Sequence, residues 1–324
     1  MLAIVLTIFS AALVLGVWDA RNISSAAQTM FGDGNLLSLV RGGDLKGQDS
    51  GHVNVLLVGY SVDDPGHPGA TLTDSIILLS MNTTSKKGYM LSIPRDLYVK
   101  IPGNGYAKIN EAYKDGGMSL LEEVVTNNFQ VPIDYYALIN YASVRDTVNA
   151  LGGITVNIQS QDPRGLYDPN ISPVDGGPLK LSNGVQNLNG QTALNLTRAR
   201  GDAEGSYGFA QADFDRTQHQ RQVLTAIKDK LNWKLVLNPR KNSQILNAAA
   251  RNVKTDVSAS EARPLFALFN SIPSSSLQSL SLRDFNGHNY LSGYTTYYGQ
   301  SALIPASGID DYSQIDSALS QLNQ

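Results

Sequence analysis

The sequence predicts one α/β domain with helices packed on a central sheet. Three observations point there. Short apolar runs closed by Gly or Pro have the length and composition of buried strands. Stretches of helical periodicity alternate with them. No segment repeats another, so a repeat architecture is not indicated. The chain has 324 residues, 42% of them hydrophobic, which is ample for a core and allows one large or two medium domains.

The ordered body is expected to start at Val53, after a spacer over residues 19–51 rich in Gly, Ser, Asn and Asp. Val53–Gly59 (VNVLLVG), Asp74–Met81 (DSIILLSM) and Gly88–Ile93 (GYMLSI, closed by Pro94) read as three strands. Polar Asn82–Lys87 between the last two reads as a hairpin turn. A turn centred near residues 84 and 85 sets Asp74 opposite Arg95, so an acid and the Arg95-Asp96 pair would meet at one sheet edge. Helices are expected at Asn110–Lys114 and Ser119–Asn128, a strand at Tyr135–Asn140, a helix at Tyr141–Leu151 and a strand at Ile154–Ile158. The Gly152-Gly153 pair punctuates that last change. Gln161–Pro178 reads as loop, and Ala193–Arg198 as helix or strand. Helices follow from Asp213, near Asn242–Asn252 and at Ala259–Ser271. A strand at Leu277–Leu282 and a loose C-terminal segment complete the chain.

Composition excludes several chemistries. The chain has no cysteine, so disulfides, thiolate metal sites and a Cys nucleophile are ruled out. A formal net charge of −3 gives no footprint for bulk nucleic-acid binding, so any basic site must be local. His52, His67, His219 and His288 lack metal-ligand spacing. No Walker A loop, Gly-x-Ser-x-Gly elbow or dinucleotide fingerprint is found. Leu2–Trp18 is an uncharged apolar run; as a helix it would be about 26 Å long, a little short of a bilayer core. A transmembrane anchor, a secretory signal segment and a buried helix are all open to it. Arg21 follows the run and no Lys or Arg precedes it, so flanking charge does not support an extracytoplasmic body.

The helix opening at Asp213 carries an anomaly. Its apolar stripe is Val223, Leu224, Ile227 and Leu231, and at about 100° per residue Arg216 and Gln220 fall inside that stripe. Unpartnered polar groups are costly in a core, so these two are expected to face an anion pocket where the core ends. An inter-helix salt bridge is the plainer alternative. Arg221 projects away from the stripe and reads as a surface charge. Arg198 and Arg200, as alternate residues of a strand, would share one face and clamp a phosphate or pyrophosphate. Lys108 and Asn110 complete the polar constellation; each member alone also reads as an ordinary turn residue, ion pair or solvated charge.

Taken in order, these pieces resemble the LytR-CpsA-Psr family of cell-wall glycopolymer ligases. The carriers are Asn54–Gly59, Thr73–Ile76, Ser92–Asp96, Lys108–Asn110, Ala150–Val156, Gly190–Leu194, Arg198–Arg200 and Asp213–Gln222. The best-matching stretch is 53–231, within a catalytic domain over 52–324. The resemblance implies an α-β-α sandwich with a central mixed sheet flanked by helices, and an N-terminal transmembrane helix over residues 1–18. It implies a phosphotransferase on the outer side of the cell membrane, single-pass, moving a glycopolymer from a polyprenyl-pyrophosphate carrier to peptidoglycan, with Mg²⁺ or Mn²⁺. By the same resemblance, Arg95, Lys108, Arg198, Arg200, Arg216 and Gln220 would bind the pyrophosphate. Asp74, Arg95 and Arg216 would be catalytic, Asp74 also serving the metal, with Asp96, Asp213 and Arg221 in support. The family usually carries an Asp where Ser61 stands; Asp63 or Asp64 could replace it. A longer loop at Ala203–Gln211 is a second departure. Two other functions fit the same residues: a catalytically silent carrier-lipid-binding module, and a pyrophosphatase acting on the same donor.

Overall fold

The computed structural model describes residues 28–29, 42–60, 72–171, 177–211, 213–230, 253–285 and 287–322. The strands are β1 (His52–Tyr60), β2 (Thr73–Asn82), β3 (Gly88–Ile93), β4 (Tyr98–Ile101), β5 (Gly105–Lys108), β6 (Tyr135–Ile139) and β7 (Ile154–Ile158). They continue with β8 (Leu166–Asp168), β9 (Leu179–Leu181), β10 (Gly184–Leu188), β11 (Val253–Thr255), β12 (Leu277–Ser281), β13 (Leu291–Thr295) and β14 (Ser301–Pro305). The helices are α1 (Ala112–Phe129), α2 (Tyr141–Ala150), α3 (Gly190–Arg198), α4 (Asp213–Lys230), α5 (Ala259–Ser271) and α6 (Ser313–Leu322). The fold is mixed α/β around a mixed sheet, as expected.

Two compact units make up the described chain, and neither is continuous in sequence. The sheet unit comprises Asp44–Asn140, Thr255–Val257 and Ser271–Gln324. The helical unit takes its described residues mainly from Tyr141–Lys254 and Ser258–Asn270. The main sheet has the order β11-β6-β1-β2-β3-β12. β2 runs antiparallel to β1 and β3, whereas β6 and β12 join in parallel. Central β1 and β2 are buried along almost their whole length, which is why they read as continuous apolar runs and not as alternating ones.

The β2–β3 turn has the expected centre. Asn82 Oδ1 accepts hydrogen bonds from the backbone N–H groups of Thr84 and Ser85, at 2.9 and 2.7 Å, which caps the turn. Ile76 then pairs with Ile93, and the same register carries Asp74 opposite Arg95. The two helices expected at 110–114 and 119–128 join as α1, with a break at Gly116 and Gly117. Gly117 has φ 70° and ψ −160°, a conformation essentially restricted to glycine.

Other expectations are corrected. Arg198 and Arg200 do not lie on a strand: Arg198 ends α3, and Ala199 turns the chain into extended loop. Part of the expected loop at 161–178 is strand β8, and the C-terminal segment is the β13–β14 hairpin followed by α6. The β4–β5 hairpin was not anticipated; its four-residue strands are too short for periodicity to register. Leu2–Trp18, Ser61, Asp63, Asp64, Leu231 and the helix expected at Asn242–Asn252 lie outside the described residues. Among the described residues no helix is long and apolar enough to cross a membrane.

Candidate functional site

The site residues fall into two groups, one in each unit. In the sheet unit, the β2–β3 register brings Asp74 and Arg95 together. Arg95 Nη1 donates to Asp74 Oδ1 at 2.8 Å, and Arg95 Nε lies 3.7 Å from Asp96 Oδ2. Lys108, the last residue of β5, places Nζ 2.8 Å from Asp96 Oδ1. The result is a chain of alternating charge, Asp74–Arg95–Asp96–Lys108, built from three elements. Asp74 is buried and the other three side chains are partly exposed. Asn110 closes the group: its backbone N–H donates to the Arg95 carbonyl at 3.3 Å, and its side chain is buried. Such an array sets two cationic side chains against two carboxylates, so its formal charge is balanced and its Arg and Lys are positioned donors for a phosphate oxygen.

In the helical unit, α3 and α4 carry the other residues. Asn189 caps α3, its side chain accepting from Thr192 N–H at 2.9 Å. Arg198 ends that helix with its guanidinium over the Tyr141 ring, 4.6 Å from the centroid. Arg216 is buried at 3% exposure, in line with Val223 and Ile227, as the stripe required. Gln220 Nε2 donates to the Thr197 carbonyl at 3.1 Å and so ties α4 to the end of α3. Asp213 opens α4.

Arg221 is not a surface charge. It is 5% exposed, and burial pulls its guanidinium down to about 10. Thr217 and Lys228, on the same side of α4, are also buried. Lys228 Nζ sits 4.7 Å from the centre of the Phe269 ring. His219 packs edge-on against Phe209, centroids 5.8 Å apart. Burial first, and the Arg221 charge second, lower the His219 imidazole to about 4, so it is neutral at pH 7.

Asp168 is a polar residue that sequence reasoning missed. It is 2% exposed at the end of β8. Its Oδ2 accepts the backbone N–H groups of Arg200 and Gly201, at 2.8 and 2.9 Å, and its Oδ1 accepts that of Asn170 at 2.9 Å. The backbone that carries Arg200 is therefore fixed by a buried carboxylate. Its sequence signal is hidden in a Pro- and Gly-rich stretch where an Asp reads as a turn residue.

Asp74 is the described member of the expected metal set. Among the described residues no three acidic or His side chains gather in a way that could hold a metal by themselves. Mg²⁺ is commonly held by one or two carboxylates together with phosphate oxygens and water. A single buried Asp beside an Arg-Lys pair fits that arrangement and does not fit an all-protein cage.

Comparison with known proteins adds a second line of evidence. The model of the LytR_cpsA_psr family matches residues 20–306. A TagU of Enterococcus faecalis, described as a polyisoprenyl-teichoic acid–peptidoglycan teichoic acid transferase, is 34% identical over 214 residues, 65% of this chain and 64% of that protein. The chain thus spans a little under two thirds of that relative. TagT of Bacillus subtilis, described in the same words, is 32% identical over 256 residues, 78% of this chain and 72% of TagT. A solved TagT (YwtF) structure with bound octaprenyl pyrophosphate lipid superposes with a TM-score of 0.59 at 26% identity, covering 84% of this chain and 88% of that one.

Proposed function

The chain belongs to the LytR-CpsA-Psr family, and from that premise we propose that it transfers a glycopolymer from a polyprenyl-pyrophosphate carrier to peptidoglycan. The observation that carries this reading is the Asp74–Arg95–Asp96–Lys108 array, which positions two cationic donors against two carboxylates, one of them buried. The TagU and TagT names and the octaprenyl pyrophosphate bound in the TagT structure support the lipid-linked donor and the acceptor. In the reaction an acceptor hydroxyl oxygen forms a bond to the glycan-bearing phosphorus. The bridging P–O bond breaks, polyprenyl phosphate leaves with that electron pair, and the hydroxyl proton passes to base. Such chemistry depends on positioning and on neutralising phosphate charge more than on covalent catalysis.

In this reading Arg95 and Lys108 of the sheet unit hold donor phosphate oxygens; Arg198, Arg200, Arg216 and Gln220 are the helical unit's own candidates for binding phosphate. Mg²⁺ or Mn²⁺, when bound, would neutralise phosphate charge, with Asp74 as its protein ligand. The apolar Leu2–Trp18 run would anchor the chain as a single membrane span with the catalytic part outside the cell.

The test is transfer from a polyprenyl-pyrophosphate-linked glycan to peptidoglycan in detergent. Arg95→Ala and Arg216→Ala should each lower kcat by about 100-fold or more, the usual loss when a transition-state donor is removed. Chelation should abolish turnover and Mg²⁺ restore it. Full activity in either variant removes that residue from the mechanism. Release of glycan phosphate without acceptor identifies a pyrophosphatase, and lipid binding without turnover identifies a silent carrier-binding module.

A further inference from the structure

The β4–β5 hairpin has one face in the core and one outside, and the outer face carries a pattern that the phosphate array does not use. Tyr98 pairs with Lys108 and Lys100 with Tyr106. Side chains alternate along a strand, so these four share a face, while Val99 and Ile101 point to the opposite, buried side. The Tyr98 ring stacks on Tyr106, with centroids 5.7 Å apart and planes at 26°. It also meets Tyr294 of β13 at 5.3 Å and 34°. Tyr106 is 44% exposed, and its hydroxyl donates to Asp310 Oδ2, which holds the ring in place.

This aromatic surface is continuous with the charged array inside the same unit. Lys108, opposite Tyr98, is the residue whose Nζ contacts Asp96, and Asp96 contacts Arg95. One hairpin therefore presents phosphate-binding charge at one end and ring faces beside it. Of these rings Tyr106 is exposed and Tyr98 and Tyr294 are half-buried, and the core side of the hairpin is already filled by Val99 and Ile101. Aromatic faces bind the C–H face of a sugar ring, and a rigid Tyr loses little entropy in doing so. Lys100 adds a positive charge that suits a phosphate-bearing glycan.

We propose that Tyr98, Tyr106 and Tyr294 form a platform for a pyranose ring next to the phosphate array. The inference rests on the transfer reading above, and it names where the sugar of one substrate is held. Both donor and acceptor carry such a ring, and the kinetic arms of the test separate them.

The experiment uses the full chain in detergent with Tyr106→Ala and Tyr106→Phe. The first removes the exposed ring, and the second keeps the ring but loses the bond to Asp310. Tyr106→Ala should raise KM for one saccharide substrate by about tenfold at unchanged kcat, the effect of losing an aromatic anchor. Tyr106→Phe should stay within about twofold of the parent, since the ring supplies the contact. A raised donor KM assigns the platform to the donor sugar, and a raised acceptor KM to the peptidoglycan sugar. Affinity for sugar-free polyprenyl pyrophosphate should not change. Unchanged KM for both substrates, or equal weakening of the sugar-free lipid, overturns the proposal. So does loss of vesicle binding or self-association with both saccharide KM values intact. Calorimetry with a phosphorylated disaccharide alone requires no turnover. Binding weakened in Tyr106→Ala supports the platform even if transfer fails, and unchanged binding overturns it even if transfer succeeds.

Discussion

A carboxylate at the end of a short strand is usually of small consequence, but Asp168 is an exception because of what it holds. It accepts three backbone N–H groups, two of them from Arg200 and Gly201, in a nearly inaccessible position. Asp168→Ala leaves those donors without acceptors, and the expected loss is about 1–3 kcal/mol in urea unfolding. Asp168→Asn keeps one acceptor oxygen and should lose less. A parental midpoint for Asp168→Ala would show that the Arg200 turn is held by other contacts. The Asp74–Arg95 pair teaches the converse at the same scale. It was legible in the sequence because a polar turn of defined length separates two apolar strands, which leaves one register in which both bury their faces.

Among the elements, α1 and α4 show what periodicity reveals and what it hides. The break in α1 was legible because two glycines interrupt a helical pattern. No atom lies within 4 Å of a Cβ built at Gly117, so Gly117→Ala tests backbone strain alone. The expected cost is about 1–3 kcal/mol, measured by denaturant or thermal unfolding. An unchanged stability would mean that the chain relaxes this kink without difficulty. In α4 the stripe through Arg216, Val223 and Ile227 was legible, but burial of the side bearing Thr217, Arg221 and Lys228 was not. A polar face normally signals water; here neighbouring elements cover it, as Phe269 of α5 does for Lys228.

At the scale of the whole molecule, the chain passes back and forth between two units, and distant segments are joined by charged contacts. In the sheet unit Lys46 Nζ pairs with Asp256 Oδ2 at 3.0 Å, and Asp256 Oδ1 accepts the Tyr136 backbone N–H at 2.8 Å. Glu122 of α1 lies close to this pair. Burial, with the Asp256 charge added, raises its carboxyl to about 7, against a smaller opposing effect of Lys46. Between about pH 4.5 and 7 the folded state then holds a proton that the unfolded state has lost, so stability falls as pH rises through that window. Glu122→Gln should match the parent at pH 4 and exceed it at pH 8. A Tm gain of roughly 2–4 °C corresponds to about 1 kcal/mol for a domain of 150–250 residues, after allowance for the half-exposed position. Equal pH profiles for the two proteins would remove Glu122 as the source of the dependence.

The sequence by itself determined the mixed α/β class, the β1–β2–β3 core and the Asp74–Arg95 pairing. It also determined the inward course of Arg216. These are consequences of apolar periodicity and turn spacing, which act over a few residues. Only the tertiary structure decided that Arg198 ends a helix, that Asp168 fixes the Arg200 turn, that Arg221 is buried and that three tyrosines from separate strands stack beside Lys108. Each depends on contacts between residues far apart in the chain, and local pattern carries no record of which polar face another element will cover. The arginine in the core line of α4 was therefore visible from the sequence, while the partners that surround it were not.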